Sequence, residues 1–128
     1  MTKKGTYYEY KVEEIFENYG YATIRSLGSG GGTKKSKPDV TVSNSRYSFG
    51  IEVKHRNNDV LYIKKSQVDE LKDFCFTFGA TPLLVVKFNR NPFYVFDVDS
   101  IELCEKNFKI SIGELNKGIE LNEFISGL

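Results

Sequence analysis

Two acids and a lysine carry the chemistry that this chain can be read for. Asp39 follows Pro38, and Glu52-Val53-Lys54 comes thirteen positions after it. Between them Val40 and Val42 alternate with Thr41 and Ser43, and Asn44-Ser45 offers a turn. Tyr47, Phe49, Ile51 and Val53 then alternate again, which predicts a tight antiparallel hairpin. In such a hairpin the far ends meet, so Asp39 and Glu52 converge. Glu52 and Lys54 are two residues apart and point to one sheet face, while Val53 points to the other. Two carboxylates about 4 Å apart repel by roughly 4 kcal/mol at an effective dielectric of 20. A divalent cation offsets that repulsion, because hard cations take oxygen ligands. The pattern therefore predicts a site for a metal and a hydrolytic water. A plain Lys54–Glu52 ion pair on a solvated strand face competes with it, since exposed pairs are common and weak.

The elements that must position these residues follow from periodicity. Tyr8, Val12, Ile15, Phe16 and Tyr19 recur at helical spacing and predict a first helix from about Thr6 to Tyr19, stopped by Gly20. Tyr21 to Leu27 reads as a strand with Ala22 and Ile24 on one face. A loop of glycine, serine and lysine follows, Gly28 to Lys37. After the hairpin, Arg56 to Asp59 reads as a turn and Leu61-Tyr62-Ile63 as a short extended segment. Ser66, with Asp69 three residues on, is the expected N-cap of a second helix. That helix carries Val68, Leu71, Cys75 and Phe78 as its core stripe and ends at Gly79. Pro82 to Phe88 is a near-continuous apolar run, as in a central strand buried on both faces. Phe93 to Val98 is its neighbour. In the tail, Phe108 to Ile112 reads as a strand and Leu121 to Ile125 as a short helix. The expected class is α/β (α+β), a mixed central sheet flanked by helices, with a core of order αβββαββ. Residues 1–128 are expected to form one domain, with the core at 3–97 and an extension of unassigned structure at 98–128.

Composition narrows the function classes. The chain has 128 residues, a hydrophobic fraction of 40% and a charged fraction of 27%, ordinary values for a water-soluble domain. No apolar run reaches membrane-spanning length and no signal-like stretch follows Met1, so an intracellular, cytoplasmic location without membrane contact is expected. Cys75 and Cys104 lack metal-type spacing, and Cys75 reads as a buried thiol in a reducing compartment. The net charge of +1 hides an asymmetry. Residues 1–65 hold 12 basic and 7 acidic side chains, a net of +5, and residues 66–128 hold 6 and 10, a net of −4. The positive half carries the acid–lysine constellation, which suggests a face for a polyanion.

The ordered set resembles the PD-(D/E)XK nuclease superfamily, and within it the archaeal-type Holliday junction resolvases of archaea and their viruses. The resemblance rests on Lys4-Gly5 with Glu9, Gly20-Tyr21-Ala22, Arg25, Gly28-Ser29-Gly30, Pro38-Asp39 and Ile51-Glu52-Val53-Lys54. It continues through Tyr62-Ile63, Gln67, Phe78-Gly79-Ala80 and Val85-Val86-Lys87-Phe88. Glu-x-Lys alone occurs by chance; the ordered set is more specific, and nothing after Asp97 joins it. The resemblance implies a restriction-endonuclease-like core and a magnesium-dependent endonuclease, with Mn²⁺ as a substitute. It implies Asp39 and Glu52 as metal ligands, Glu9 as the first-helix acid that completes or supports the metal site, the Val53 carbonyl as a further oxygen, and Lys54 at the attacking water or the phosphate charge. Ser29 would be a loop serine near the active site. Cleavage would leave 5′-phosphate ends.

Lys34, Lys35 and Lys37, in the glycine loop, are candidates for DNA contact, as are Lys4, Arg25, Ser29, Arg56, Tyr62 and Lys64. Glu13 and Glu17 lie at i+4 and i+8 from Glu9 and compete for its assignment. His55 is expected to be structural, on the face opposite Lys54. Phe76 lies off the apolar stripe of the second helix and suggests a dimer surface; a two-fold dimer would present two sites to a four-way junction. No recombination or replication protein can be named as a partner. Two other readings stay open: a restriction- or repair-type nuclease on the same fold, and a non-catalytic DNA-binding module.

Overall fold

A computed structural model describes residues 4–26, 37–99, 103–104 and 107–128. A first helix, α1 (Lys4–Asn18), is followed by strands β1 (Ala22–Arg25), β2 (Val40–Ser43), β3 (Ser48–Arg56) and β4 (Val60–Lys64). Helix α2 (Lys65–Phe78) leads to β5 (Thr81–Phe88) and β6 (Tyr94–Asp97). The chain closes with β7 (Leu103–Cys104), β8 (Asn107–Ser111), a 3-10 segment (Ile112–Lys117), β9 (Ile119–Glu120) and α3 (Leu121–Ser126). The main sheet has the order β1-β2-β3-β5-β6-β9 and is mixed: β3 and β5 run parallel and the other pairs antiparallel. Helices flank it on both faces, as the expected fold class requires.

Alternation along the strands divides the interior in two. Val40, Val42, Phe49, Ile51, Leu83, Val85 and Val95 pack with Val12 and Phe16 of α1 and Leu121 and Ile125 of α3. Leu84, Val86, Phe88 and Phe96 face the other way, onto Val68, Leu71 and Cys75 of α2 and onto Leu61, Ile63 and Ile110. The central β5 therefore buries both faces, as its apolar run predicts. The tail contributes to both clusters through Ile110, Leu115, Leu121 and Ile125.

Several details differ from expectation. The order αβββαββ gains a strand, because β4 stands between β3 and α2. It leaves the main sheet and joins a second one of order β4-β8-β7. Strand β4 runs directly into α2, so the N-cap position is Lys64 rather than Ser66, with no side-chain cap. Strand β1 is an edge, and its Ala22 and Ile24 are exposed because no helix covers that face there. Tyr19 lies beyond α1 and is exposed, its hydroxyl donating to Asn122 Oδ1 at 3.2 Å. Phe78 is 57% exposed and leaves the core stripe to stack on Phe74, at 5.3 Å between ring centroids. Gly79 does close α2, at φ 89° in the left-handed region. Among the described residues, no helix is long and apolar enough to cross a membrane.

Candidate active site

The β2–β3 hairpin forms as its alternation predicts. Asn44 Oδ1 accepts from the Arg46 and Tyr47 amides at 2.8 and 2.6 Å, an Asx turn that sets the register. Val40 faces Ile51 and Val42 faces Phe49 across the strands. One step further along, Asp39 comes opposite Glu52. Register with β5 pairs Glu52 with Leu84 and Lys54 with Val86, both of which face α2. Val53 packs on the α1 side. Two acids and the lysine thus share one face.

They line a cleft of about 200 Å³ with Lys37, Pro38, Gln67, Glu70 and Leu71. Asp39 Oδ2 accepts from the Val53 amide at 2.9 Å. Within a strand one residue's N–H and C=O leave from the same edge, so the Val53 carbonyl also projects toward Asp39. Lys54 Nζ lies 3.8 Å from Glu52 Oε2, with the two side chains only 25% and 18% exposed. The competing picture of a solvated surface pair does not describe this geometry.

Electrostatics show the cost of the arrangement. Burial, then the neighbouring Asp39, push the Glu52 carboxyl up to about 8, against the pull of Lys54. Burial also raises Asp39, which is partly relieved by the Val53 amide, by Lys54 and by a hydrogen bond from Glu52. One proton shared between the two carboxyls accounts for both directions. Such a pair is a hard-oxygen donor set waiting for a cation to replace its proton.

Glu9 reaches this region from α1, on the other side of the sheet. Burial raises its carboxyl first and Asp39 second, while Arg25 lowers it. Arg25 Nη1 lies 3.6 Å from Glu9 Oε1. Glu13 and Glu17 both accept from Thr23 Oγ1, at 2.8 and 3.0 Å, and Glu13 Oε1 also lies 3.9 Å from Arg25 Nε. Of the three acids that spacing alone left in competition, Glu9 is close enough to Asp39 to be raised by its charge. Among the described residues, no three His, Cys, Asp or Glu side chains converge into a metal cluster. Asp39 and Glu52 are brought together; Glu9 acts on them through space.

The expected DNA contacts are distributed unevenly. Lys37 lines the cleft. Arg56 is exposed at the end of β3, its Nη1 donating to the His55 carbonyl at 3.2 Å. Tyr62 and Lys64 are exposed on the outer face of β4. Arg25 is held by α1. Ser29, Lys34 and Lys35 lie outside the described residues, and the Lys4 side chain does too. His55 stacks on Tyr8 at 4.2 Å, on the α1 side, away from Lys54. Phe76 is 89% exposed on α2.

Reading the sequence for chemistry missed Gln67 and Glu70 as cleft residues; their place in the first turns of α2, just after a strand, is the signal that could have shown them. Lys109 faces Tyr62 across β4 and β8, a tail residue beside one of the expected DNA contacts that local patterns do not reveal.

The chain is similar to several known proteins. The crossover junction endodeoxyribonuclease Hjc of Archaeoglobus fulgidus is 35% identical over 123 residues, covering 96% of this chain and 90% of that protein. A crossover junction endodeoxyribonuclease of Sulfolobus islandicus rod-shaped virus 1 is 34% identical over 93 residues, 70% of this chain and 76% of that one. The solved structure of Archaeoglobus fulgidus Hjc, a Holliday junction resolvase, matches with a TM-score of 0.86 at 33% identity, over 94% of this chain and 99% of that chain. The family model for archaeal Holliday junction resolvase (hjc) matches residues 1–128, including the tail after Asp97 that none of the motifs reaches, and so the chain belongs to that family.

Proposed function

We propose that this chain is an endodeoxyribonuclease that resolves four-way DNA junctions by metal-dependent phosphodiester hydrolysis, acting inside the cell as a homodimer. The observation that carries the reading is the pair of contacting carboxyls beside Lys54 in one cleft. Asp39, Glu52 and the Val53 carbonyl would hold Mg²⁺, with Mn²⁺ able to replace it, and Glu9 would add a further negative charge beside them. The bound cation lowers the pKa of water and neutralises a phosphate oxygen. Lys54, 3.8 Å from Glu52, supplies positive charge where the phosphate gains negative charge. The Val53 amide fixes the Asp39 carboxylate in the cleft.

Exposed cations and one exposed aromatic fit duplex arms. Lys37 borders the cleft, and Lys64 and Tyr62 are exposed on β4, with the half-buried Lys109 opposite Tyr62 on β8. Contacts of this kind read backbone and shape rather than base edges. The dimer is supported by Phe76, 89% exposed on α2. A monomer gains nothing from such aromatic exposure, whereas a two-fold pair buries it and faces two strands at once.

The test is cleavage of a labelled synthetic four-way junction beside a matched linear duplex, with Mg²⁺ or EDTA, by wild type and Asp39→Asn. Paired nicks near the branch point, only with Mg²⁺ and only in wild type, are expected. Equal cleavage of the linear duplex, or cleavage by Asp39→Asn, overturns the reading.

A further inference from the structure

The end of β1 holds both flanking acids of the site. Arg25 pairs with Val40 in the strand register, beside Asp39. The next residue, Ser26, donates its amide to the Asp39 carbonyl at 3.0 Å and its hydroxyl to the Pro38 carbonyl at 2.6 Å. The Arg25 side chain turns the other way, onto α1. Its Nη1 lies 3.6 Å from Glu9 Oε1 and its Nε 3.9 Å from Glu13 Oε1. Its Nη2 donates to the Tyr10 hydroxyl at 3.1 Å, and its central carbon sits 4.6 Å from the Tyr10 ring centroid. With these four contacts the Arg25 side chain is only 20% exposed. Tyr10 itself is 52% exposed and packs in neither core cluster.

We propose that Tyr10 is a positioning residue: it clamps Arg25 so that the guanidinium fixes the Glu9 carboxylate relative to Asp39, and thereby sets the affinity of the site for its divalent cation. The proposal rests on the metal-dependent reading above. The physical reason is geometric. A guanidinium shared between two carboxylates can swing toward either, and one N–H bond plus a π face on the third side removes that freedom. Without the clamp Arg25 is free to pair with Glu13 alone, or to turn to solvent. Glu9 then loses its fixed distance from Asp39. Outer groups of this kind govern metal sites through the ligands they orient. The alternative role for Arg25 is direct contact with DNA phosphate, which requires it to leave Glu9.

Tyr10→Ala and Tyr10→Phe separate the two. Because Tyr10 lies at the surface, neither change opens a core cavity, and thermal melts check the fold. Calorimetric titration with Mg²⁺ alone is the first readout, and junction binding in EDTA the second. The expected result is a dissociation constant for Mg²⁺ raised about 10-fold in Tyr10→Ala. Tyr10→Phe, which keeps the ring under the guanidinium, should stay closer to wild type. Junction affinity in EDTA should be unchanged in both. Wild-type Mg²⁺ affinity in Tyr10→Ala overturns the proposal, as does a loss of metal-free junction affinity, which would place the pair on DNA. A wild-type protein that binds no Mg²⁺ overturns the functional reading itself.

Discussion

Glu52→Gln should make the metal-free protein more stable, by an amount that grows as pH rises from about 4.5 to 8. Glu52 titrates near 8 in the folded chain against 4.5 for an ordinary glutamate, raised by burial and by Asp39. Between those values the folded state keeps a proton that the unfolded chain has released. Stability therefore falls as pH climbs through this window. Asp39 and Glu9 are also shifted upward, so their contributions have the same sign. At about 1.4 kcal/mol per pKa unit, the full shift of Glu52 sets a ceiling on the order of 4–5 kcal/mol above pH 8. The shared proton divides that between two acids, so a gain of roughly 2 kcal/mol is the working figure. Glutamine reproduces the protonated state: it is neutral and its amide can donate to Asp39. For a domain of this size the gain corresponds to roughly 6–10 °C in melting temperature. The assay is thermal unfolding of wild type and variant in EDTA at pH 5 and pH 8.5. The difference should be large at pH 8.5 and small at pH 5. Adding Mg²⁺ at pH 8.5 should then raise only the wild type, by about 2.7 kcal/mol at a hundredfold excess over the dissociation constant. A variant that melts below wild type at pH 8.5 in EDTA would refute the idea that two carboxyls are forced together here.

Three further outcomes follow from the same coordinates. Lys54→Ala should lower kcat on a four-way junction by about 10²–10³ while leaving junction affinity in EDTA nearly intact, as read by single-turnover cleavage and gel shift. Phe76→Asp should convert a dimer to a monomer in sedimentation velocity at micromolar concentration; a wild type that already sediments as a monomer removes the basis for paired nicking. Gly50→Ala would drive a methyl group onto Cys75 Sγ and to 3.1 Å from Pro38 Cγ, so denaturant unfolding should show a loss of about 1–3 kcal/mol, partly recovered by adding Cys75→Ala.

How much of this was legible varies with how local the determining contacts are. The hairpin was legible because alternation, an Asx-type turn and a fixed register all lie within Val40 to Val53. The parallel partner β5 showed as an apolar run, since burial on both faces leaves no polar positions. Strand β4 showed as a short extended segment, but its sheet did not. Its partner β8 lies far along the chain, and Leu61 facing Ile110 is a pairing that no local pattern encodes. Ile24 and Phe78 are apolar at positions that periodicity assigns to the interior, yet both are exposed, Ile24 on an edge strand and Phe78 at the end of α2. Of the site, Asp39, Glu52 and Lys54 follow from strand geometry alone. Glu9 does not, because helical spacing offers Glu13 and Glu17 equally; the difference comes from long-range neighbours, Thr23 bonding Glu13 and Glu17 while Asp39 acts on Glu9.

The hairpin also explains how a repulsive site persists in a stable chain. Its acid face cannot be relieved by a slip of one residue, because every side chain would then change faces. Val40, Val42, Phe49 and Ile51, all buried against α1, would be turned toward α2 and the cleft. At roughly 1.5–3 kcal/mol for each buried side chain, their burial is worth on the order of 6–12 kcal/mol. Repulsion between two carboxylates at contact is about 4 kcal/mol at an effective dielectric of 20, and less once one proton is shared. Core packing therefore wins, and the acids are held where they repel. The face toward α1 fixes the register; the face toward α2 inherits the charge that a cation can neutralise.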